Sequence, residues 1–288
     1  MRFFRVGICC LLAFAVLSFG AVEEWAQAVL EVGAAVLLVL WAVRQYRIKA
    51  EQLSLPPEFL PLCAFALVVL IQLAFHLTAS SYYTRVELQL LVAYLIIVFL
   101  ISQAFSRRGH WRAFVWFLMS LGFFVSVFGT LQYLTFNGKI YWVREMRFGG
   151  APFGPYVDRN HFAGFAEMII PVALVPLVLG KVRRERVFLV ALFAVVPIVA
   201  LVLSASRGGI VSFGVQMVIL FSLLLILRVH GRHVIVGGIV VLVAAMAVSW
   251  IGVQRVVQRF SGIQTLEVTV GKRVAMRHDT WRLFLDHP

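Results

Sequence analysis

Three short stretches of this chain concentrate side chains able to do chemistry. The first is Val157 to Phe165, VDRNHFAGF, which sets Asp158, Arg159, Asn160 and His161 side by side at the mouth of a long apolar run. The second, Leu203 to Gly209, reads LSASRGG, with Arg207 between two serines and two glycines. The third runs from Gly271-Lys272-Arg273 through Arg277, His278 and Trp281 to Asp286-His287-Pro288. Guanidinium groups bind phosphate and pyrophosphate bidentately. A helix that starts at Asp158–His161 adds free N–H groups and a positive dipole end, which also suit an anion. Asp158 and Asn160 are both candidates to cap that helix. Glu167 follows Asn160 by seven residues, two turns down the same face and about 10 Å into the helix. A carboxylate at that depth in an apolar helix is a candidate functional group, or an internal partner that orients an arginine. Histidine is the side chain suited to taking a proton near neutral pH, and His161 and His278 are the candidates here. If the third stretch is helical, Arg277 and Trp281 share one face, one turn apart.

The elements that must hold these groups follow from composition. Of 288 residues, 62% are hydrophobic and only 14% are charged, where a soluble domain carries about 25% charged residues. The mean hydropathy is +0.95. The chain reads as an integral membrane protein. A bilayer is crossed by about 20 apolar residues in a helix. Nine such runs occur, at about 6–22, 25–43, 59–78, 86–105, 111–136, 161–180, 187–203, 210–227 and 234–252. Their apolarity is continuous and no strand alternation appears, which excludes a β-barrel and predicts an all-α polytopic transmembrane bundle. Residues 1–252 form that bundle, with an external loop at about 137–160, and 253–288 begin a further external segment. The first run also resembles a signal peptide, with Arg2 and Arg5 ahead of it and Ser18-Phe19-Gly20-Ala21 behind. A second span follows within a few residues, so we read it as a retained helix. Pro171, Pro176 and Pro197 fall within the sixth and seventh runs and predict kinks. Cys9, Cys10 and Cys63 lie in apolar runs and read as packing residues, with no metal-ligand spacing.

Charge sets the orientation. With the N-terminus cytoplasmic, fourteen of the 26 lysines and arginines fall in internal segments, and the first two external loops hold only Arg85. The net charge of +13 therefore reflects basic loops at a membrane and is no nucleic-acid signal. The later external segments break the pattern. They carry eleven cations, among them Lys139, Arg144, Arg147, Arg159, Arg207, Arg255, Arg259 and Arg277. Arginines clustered outside at membrane level suit a lipid phosphate or pyrophosphate. Trp111, Tyr141 and Trp142 stand near helix ends, as interfacial anchors do.

A many-helix bundle in which DRNHFAG opens one helix, SRGG opens another, and R-x-x-x-W precedes DHP resembles the O-antigen ligase family. Its superfamily also holds lipid-linked glycan polymerases and oligosaccharyltransferases that glycosylate proteins. The specific likeness lies at about 150–288; the helices before it match only in character. The resemblance implies a multi-pass protein of the bacterial inner membrane with its active site facing the periplasm. It would move a glycan from an undecaprenyl-pyrophosphate carrier to a glycolipid, glycan or protein acceptor, lipid A-core foremost. By the same resemblance Arg207 and Arg277 contact the pyrophosphate and serve catalysis, and the Asn160-His161 pair matches a stretch common in one branch of the family. With Arg159 and Glu167, singled out above by charge and depth, that pair makes up the substrate-binding candidates. In the family the D-H-P element is followed by a glycine-rich segment, a histidine that is the candidate base, and further helices. The chain ends at Pro288, so we expect a truncated frame, and His287 belongs to the D-H-P element.

The residues allow such a reaction without a metal or other cofactor. No Asp-x-Asp pair occurs, and fixed guanidinium groups can stabilise a leaving pyrophosphate in its place. Direct attack of an acceptor hydroxyl at the anomeric carbon would invert configuration. A polymerase or a protein O-oligosaccharyltransferase shares the donor and differs in the acceptor. An anion transporter would also use kinked helices and Glu167, but it should show two related halves with polar groups near mid-membrane, and no repeat is present. A non-catalytic membrane scaffold is the remaining class.

Overall fold

The computed structural model describes residues 2–48, 53, 55–145, 152–228, 231–252 and 263–286. Among them it is all-helical, without a strand; the extended elements are two isolated bridges, Ile140 with Arg144 and Phe153 with Tyr156. The helices are α1 (Arg2–Leu17), α2 (Glu24–Ile48), α3 (Phe59–Ala74), α4 (Ser81–Ala104), α5 (Arg108–Leu134), α6 (Arg159–Val178), α7 (Val187–Leu203), α8 (Arg207–Ile226), α9 (Gly231–Gly252) and α10 (Ile263–Asp286). Each of the nine apolar runs coincides with a helix. Among the described residues, six helical stretches are long and apolar enough to cross a membrane: those of α2, α4, α5, α6, α8, and α7 with the 3₁₀ turn before it. α1 and α3 have 16 residues each. Arg147, Arg255, Arg259 and the His287-Pro288 end of the D-H-P element lie outside the described residues.

Several helices begin before the apolar run that announces them. α4 starts at Ser81, α6 at Arg159 and α8 at Arg207, against runs read from about 86, 161 and 210. Hydropathy finds the stretch that prefers lipid, whereas the helix also takes in the polar first turn that its cap completes. Arg159, Asn160, His161 and Arg207 are therefore first-turn helical residues.

The chain forms two compact units, Met1–Arg112 with Gly262–Pro288, and Ala113–Ser261. In the first, α1, α2 and α4 share a core of small and aliphatic side chains. Ala26, Leu30 and Ala34 of α2 meet Ala93 and Ile97 of α4, with Leu11 and Phe14 of α1 packed alongside. Small residues let helix backbones approach where lipid removes the usual hydrophobic drive. Trp41 of α2 sets its ring edge-on to Phe99 of α4, centroids 4.8 Å apart.

In the second unit α6 is the central helix. It packs most extensively on α7 and also meets α8 and α9. Phe162, Ala166, Ile170, Ala173 and Leu174 are buried along its length, which sets its depth and rotation. Pro171 and Pro176 lie inside α6 and Pro197 inside α7. Arg186, at the start of α7, places its guanidinium 5.5 Å from the ring of Trp116 on α5. Outward positions such as Phe188 and Leu225 stay apolar and exposed, as lipid-facing residues do.

Candidate functional site: two helix N-termini joined by a serine

Asp158 is the N-cap of α6. Its backbone is extended (φ −115°, ψ 126°), and its carboxylate accepts from the Asn160 N–H at 2.8 Å. Asn160 is released from capping and reaches across to α8.

α8 starts from a tight turn. Ala200 and Val202 carbonyls accept from the N–H groups of Ser204 and Ala205, and the Ser204 hydroxyl donates to the Leu201 carbonyl at 2.6 Å. Ala205 takes a left-handed conformation (φ 52°) while buried. That conformation costs an alanine about 1–2 kcal/mol. It is what turns the chain from α7 into α8 within three residues. Ser206 then caps α8, accepting from the Gly209 N–H at 3.2 Å. The same hydroxyl donates to Asn160 Oδ1 at 2.8 Å. One buried oxygen thus completes the start of α8 and ties it to the start of α6.

The contact continues for two more turns. A Cβ added at Gly209 would lie 2.5 Å from Ala163 Cβ and 3.2 Å from Glu167 Oε1. Only glycine lets α8 come this close to α6. Ser212 donates to Glu167 Oε2 at 2.6 Å. Gln216 donates its amide N–H to the backbone carbonyl of Glu167 at 3.1 Å. That last bond has a covalent reason. The Glu167 carbonyl would normally accept from the N–H four residues on, and residue 171 is proline, which has none. Gln216 supplies the missing donor from the neighbouring helix.

The loop before α6 is fixed from the other side. Gly154 (φ +58°) packs against Gly129 of α5, where a Cβ would come within 3.2 Å of backbone. Gln132, buried on α5, donates to the Gly154 carbonyl at 2.8 Å and accepts from the Tyr141 N–H at 3.1 Å when its amide is set to satisfy both. Phe153 and Tyr156 pack their rings against Phe162 of α6, tilted and edge-on respectively, at 4.5 and 6.2 Å between centroids. Burial pushes the phenol of Tyr156 far above its ordinary value, with the neighbouring Tyr141 adding to the shift.

The result is a pair of helix N-termini held together, each with an arginine as its first residue: Arg159 on α6 and Arg207 on α8. Both arginines are half-buried, whereas Asn160 and His161 are exposed. Two positive dipole ends and two guanidinium groups make this junction suited to a polyanionic ligand. Glu167 lies two turns below the junction, held by Ser212.

Of the residues singled out from sequence, Arg159, Asn160, His161, Glu167 and Arg207 all belong to this second unit. Direct bonds join Asn160 to the α8 cap and Glu167 to α8 itself. Arg277 belongs to the first unit. It is exposed on α10, as is Trp281 one turn on, whose ring stacks on Phe284 at 5.5 Å. Sequence reasoning missed Ser206, Ser212 and Gln216. The cap of Ser206 carried a signal, a serine three residues before Gly209 at the head of an apolar run. The role of Gln216 was hidden, because its partner is a backbone atom 49 residues away. Among the described residues no group of three His, Cys, Asp or Glu side chains could hold a metal ion.

No curated protein and no solved structure matches the chain. The family model for O-Antigen ligase matches residues 188–288, from the start of α7 to the chain end. The segment so matched is the C-terminal third of the chain, and it contains the Ser-Arg-Gly-Gly start of α8 and the whole of α10.

Proposed function

We propose that this multi-pass membrane protein is a glycosyltransferase of the O-antigen ligase type, moving a glycan from an undecaprenyl-pyrophosphate carrier to a lipid A-core acceptor at the periplasmic face of the inner membrane. The observation that carries the reading is the Asn160–Ser206 junction, which joins two arginine-headed helix N-termini, of which the start of α8 lies within the segment that the O-antigen ligase family model matches.

In this mechanism the carrier's pyrophosphate lies over the starts of α6 and α8. The acceptor hydroxyl oxygen attacks the anomeric carbon and forms the new glycosidic bond. The bond from that carbon to the phosphate oxygen breaks, and its electron pair stays on the departing pyrophosphate. Arg207, with Arg159 in support, stabilises the charge that develops there. Asn160 positions Arg207 through Ser206. The hydroxyl proton passes to a histidine, and His161 is the candidate beside this junction. Arg277 is proposed, from the family resemblance alone, as a pyrophosphate-binding residue. The displacement inverts the anomeric centre and needs no metal ion. A polymerase or protein O-oligosaccharyltransferase would use the same donor machinery and a different acceptor.

Arg207→Ala tests the reading. It should abolish glycan transfer while protein level and melting temperature hold, and Arg207→Lys should remain strongly impaired because a point charge does not replace the bidentate fork. Survival of transfer in Arg207→Ala would remove the proposal. Two further readouts test the finer points separately: transfer that persists in EDTA supports metal independence, and anomeric stereochemistry by NMR decides inversion.

A further inference from the structure

Within the first unit a cavity of about 660 Å³ opens between the start of α3, the end of α4 and the start of α5. Its walls are apolar, with Leu62, Val98 and Phe105 among them, and its rim carries Glu58, Arg108 and Trp111. The volume falls in the range of small-ligand sites, about 300–1,000 Å³. The surrounding charge is unbalanced. Arg107, Arg108 and Arg112 are all exposed at the head of α5; of these Arg108 lines the cavity, and Glu58 is the carboxylate among its described lining residues. Arg108 and Arg112 share one helix face, one turn apart, and Trp111 is the kind of side chain that sits at headgroup level.

We propose that this cavity binds an anionic glycerophospholipid, with an acyl chain against the apolar wall and its phosphate at Arg108. A free phosphate would have no use for the apolar wall. A zwitterionic lipid carries its own cation beside the phosphate and answers the three arginines at the head of α5 less well than an anionic one. Basic pockets between membrane helices at the anionic leaflet follow the same physics. The site is independent of the glycosyltransferase reading, since none of its residues takes part in the proposed transfer.

The test uses the purified full chain, delipidated in a neutral detergent and offered equal amounts of phosphatidylglycerol and phosphatidylethanolamine, with retained lipid read by native mass spectrometry. Phosphatidylglycerol should be retained preferentially. Arg108→Gln should reduce that preference by about fivefold, the contribution of one arginine at a lipid surface, while Arg108→Lys preserves it. Val98→Trp, which fills the cavity, should reduce retention of both lipids at unchanged helicity and melting temperature. Equal retention of the two lipids by the unaltered chain would overturn the proposal. So would an unchanged preference in Arg108→Gln, unchanged retention in a folded Val98→Trp, or displacement of the lipid by glycerol phosphate at equal concentration.

Discussion

At the scale of single residues, the junction depends on one hydroxyl. Ser206 accepts from Gly209 and donates to Asn160 in a buried setting. Ser206→Ala removes a helix cap and leaves the Asn160 carbonyl oxygen without its donor, so we expect a loss of about 1–2 kcal/mol. A shifted thermal midpoint measures it, and Ser206→Thr, which keeps the hydroxyl, should restore most of it. Asn160→Asp separates structure from charge. It retains an acceptor for Ser206 and so should hold the midpoint, yet it sets a carboxylate where the pyrophosphate is proposed to lie. Donor binding should therefore weaken at least tenfold, measured as KM with kcat followed separately. Tyr156 gives a pH signature. Its phenol is held protonated by burial, so the stability it contributes is present below the unfolded value of about 10 and is lost as pH rises through the elevated folded one. The loop before α6 should loosen in strong alkali, and Tyr156→Phe should flatten that pH slope in a melting series.

The element scale explains why α6 and α8 keep their register. Pro171 deprives the Glu167 carbonyl of its normal donor, and Gln216 makes up the deficit from α8. This predicts a coupling that no inspection of either residue alone would give. Gln216→Ala should cost about 0.5–1.5 kcal/mol, in the range of membrane hydrogen bonds. In a Pro171→Ala background, where residue 171 regains its N–H, the same change should cost clearly less. A double-mutant cycle in unfolding free energy reads the difference, and strict additivity would show that Gln216 does not serve the proline break. Gly209 acts at the same scale. Its missing Cβ is what lets the two helices touch, so Gly209→Val should force them apart and reduce transfer together with stability.

For the whole molecule, the expectation that follows from charge concerns sidedness. The basic segments around 44–49, 107–112 and 181–186 should face the cytoplasm, and the loop carrying Asp158 should face out. Reporter fusions after residues 145 and 183 should give opposite signals, external and internal respectively. The same signal from both would overturn the pyrophosphate proposal, which sets the carrier's glycan on the outer side.

Much of this was legible in the sequence. The nine apolar runs each became a helix, because a helix satisfies its backbone groups internally, and six helical stretches among the described residues are long and apolar enough to cross a membrane. The three polar stretches stood out because charge in such a chain is costly and therefore placed for a reason. Asp158 as a cap and Arg207 at a helix start follow from local chemistry, which a short window contains. What a short window does not contain is which distant atom answers a given group. The sequence offered Asp158 and Asn160 as equal candidates for one cap. The fold gave the cap to Asp158 and sent Asn160 to Ser206, 46 residues on. Likewise the proline at 171 announced an unsatisfied carbonyl, but only the packing of α8 on α6 decided that Gln216 would satisfy it. Local propensity and hydropathy are properties of neighbours in the chain. Partnership across helices is decided by close approach, here made possible by the absence of one Cβ at Gly209.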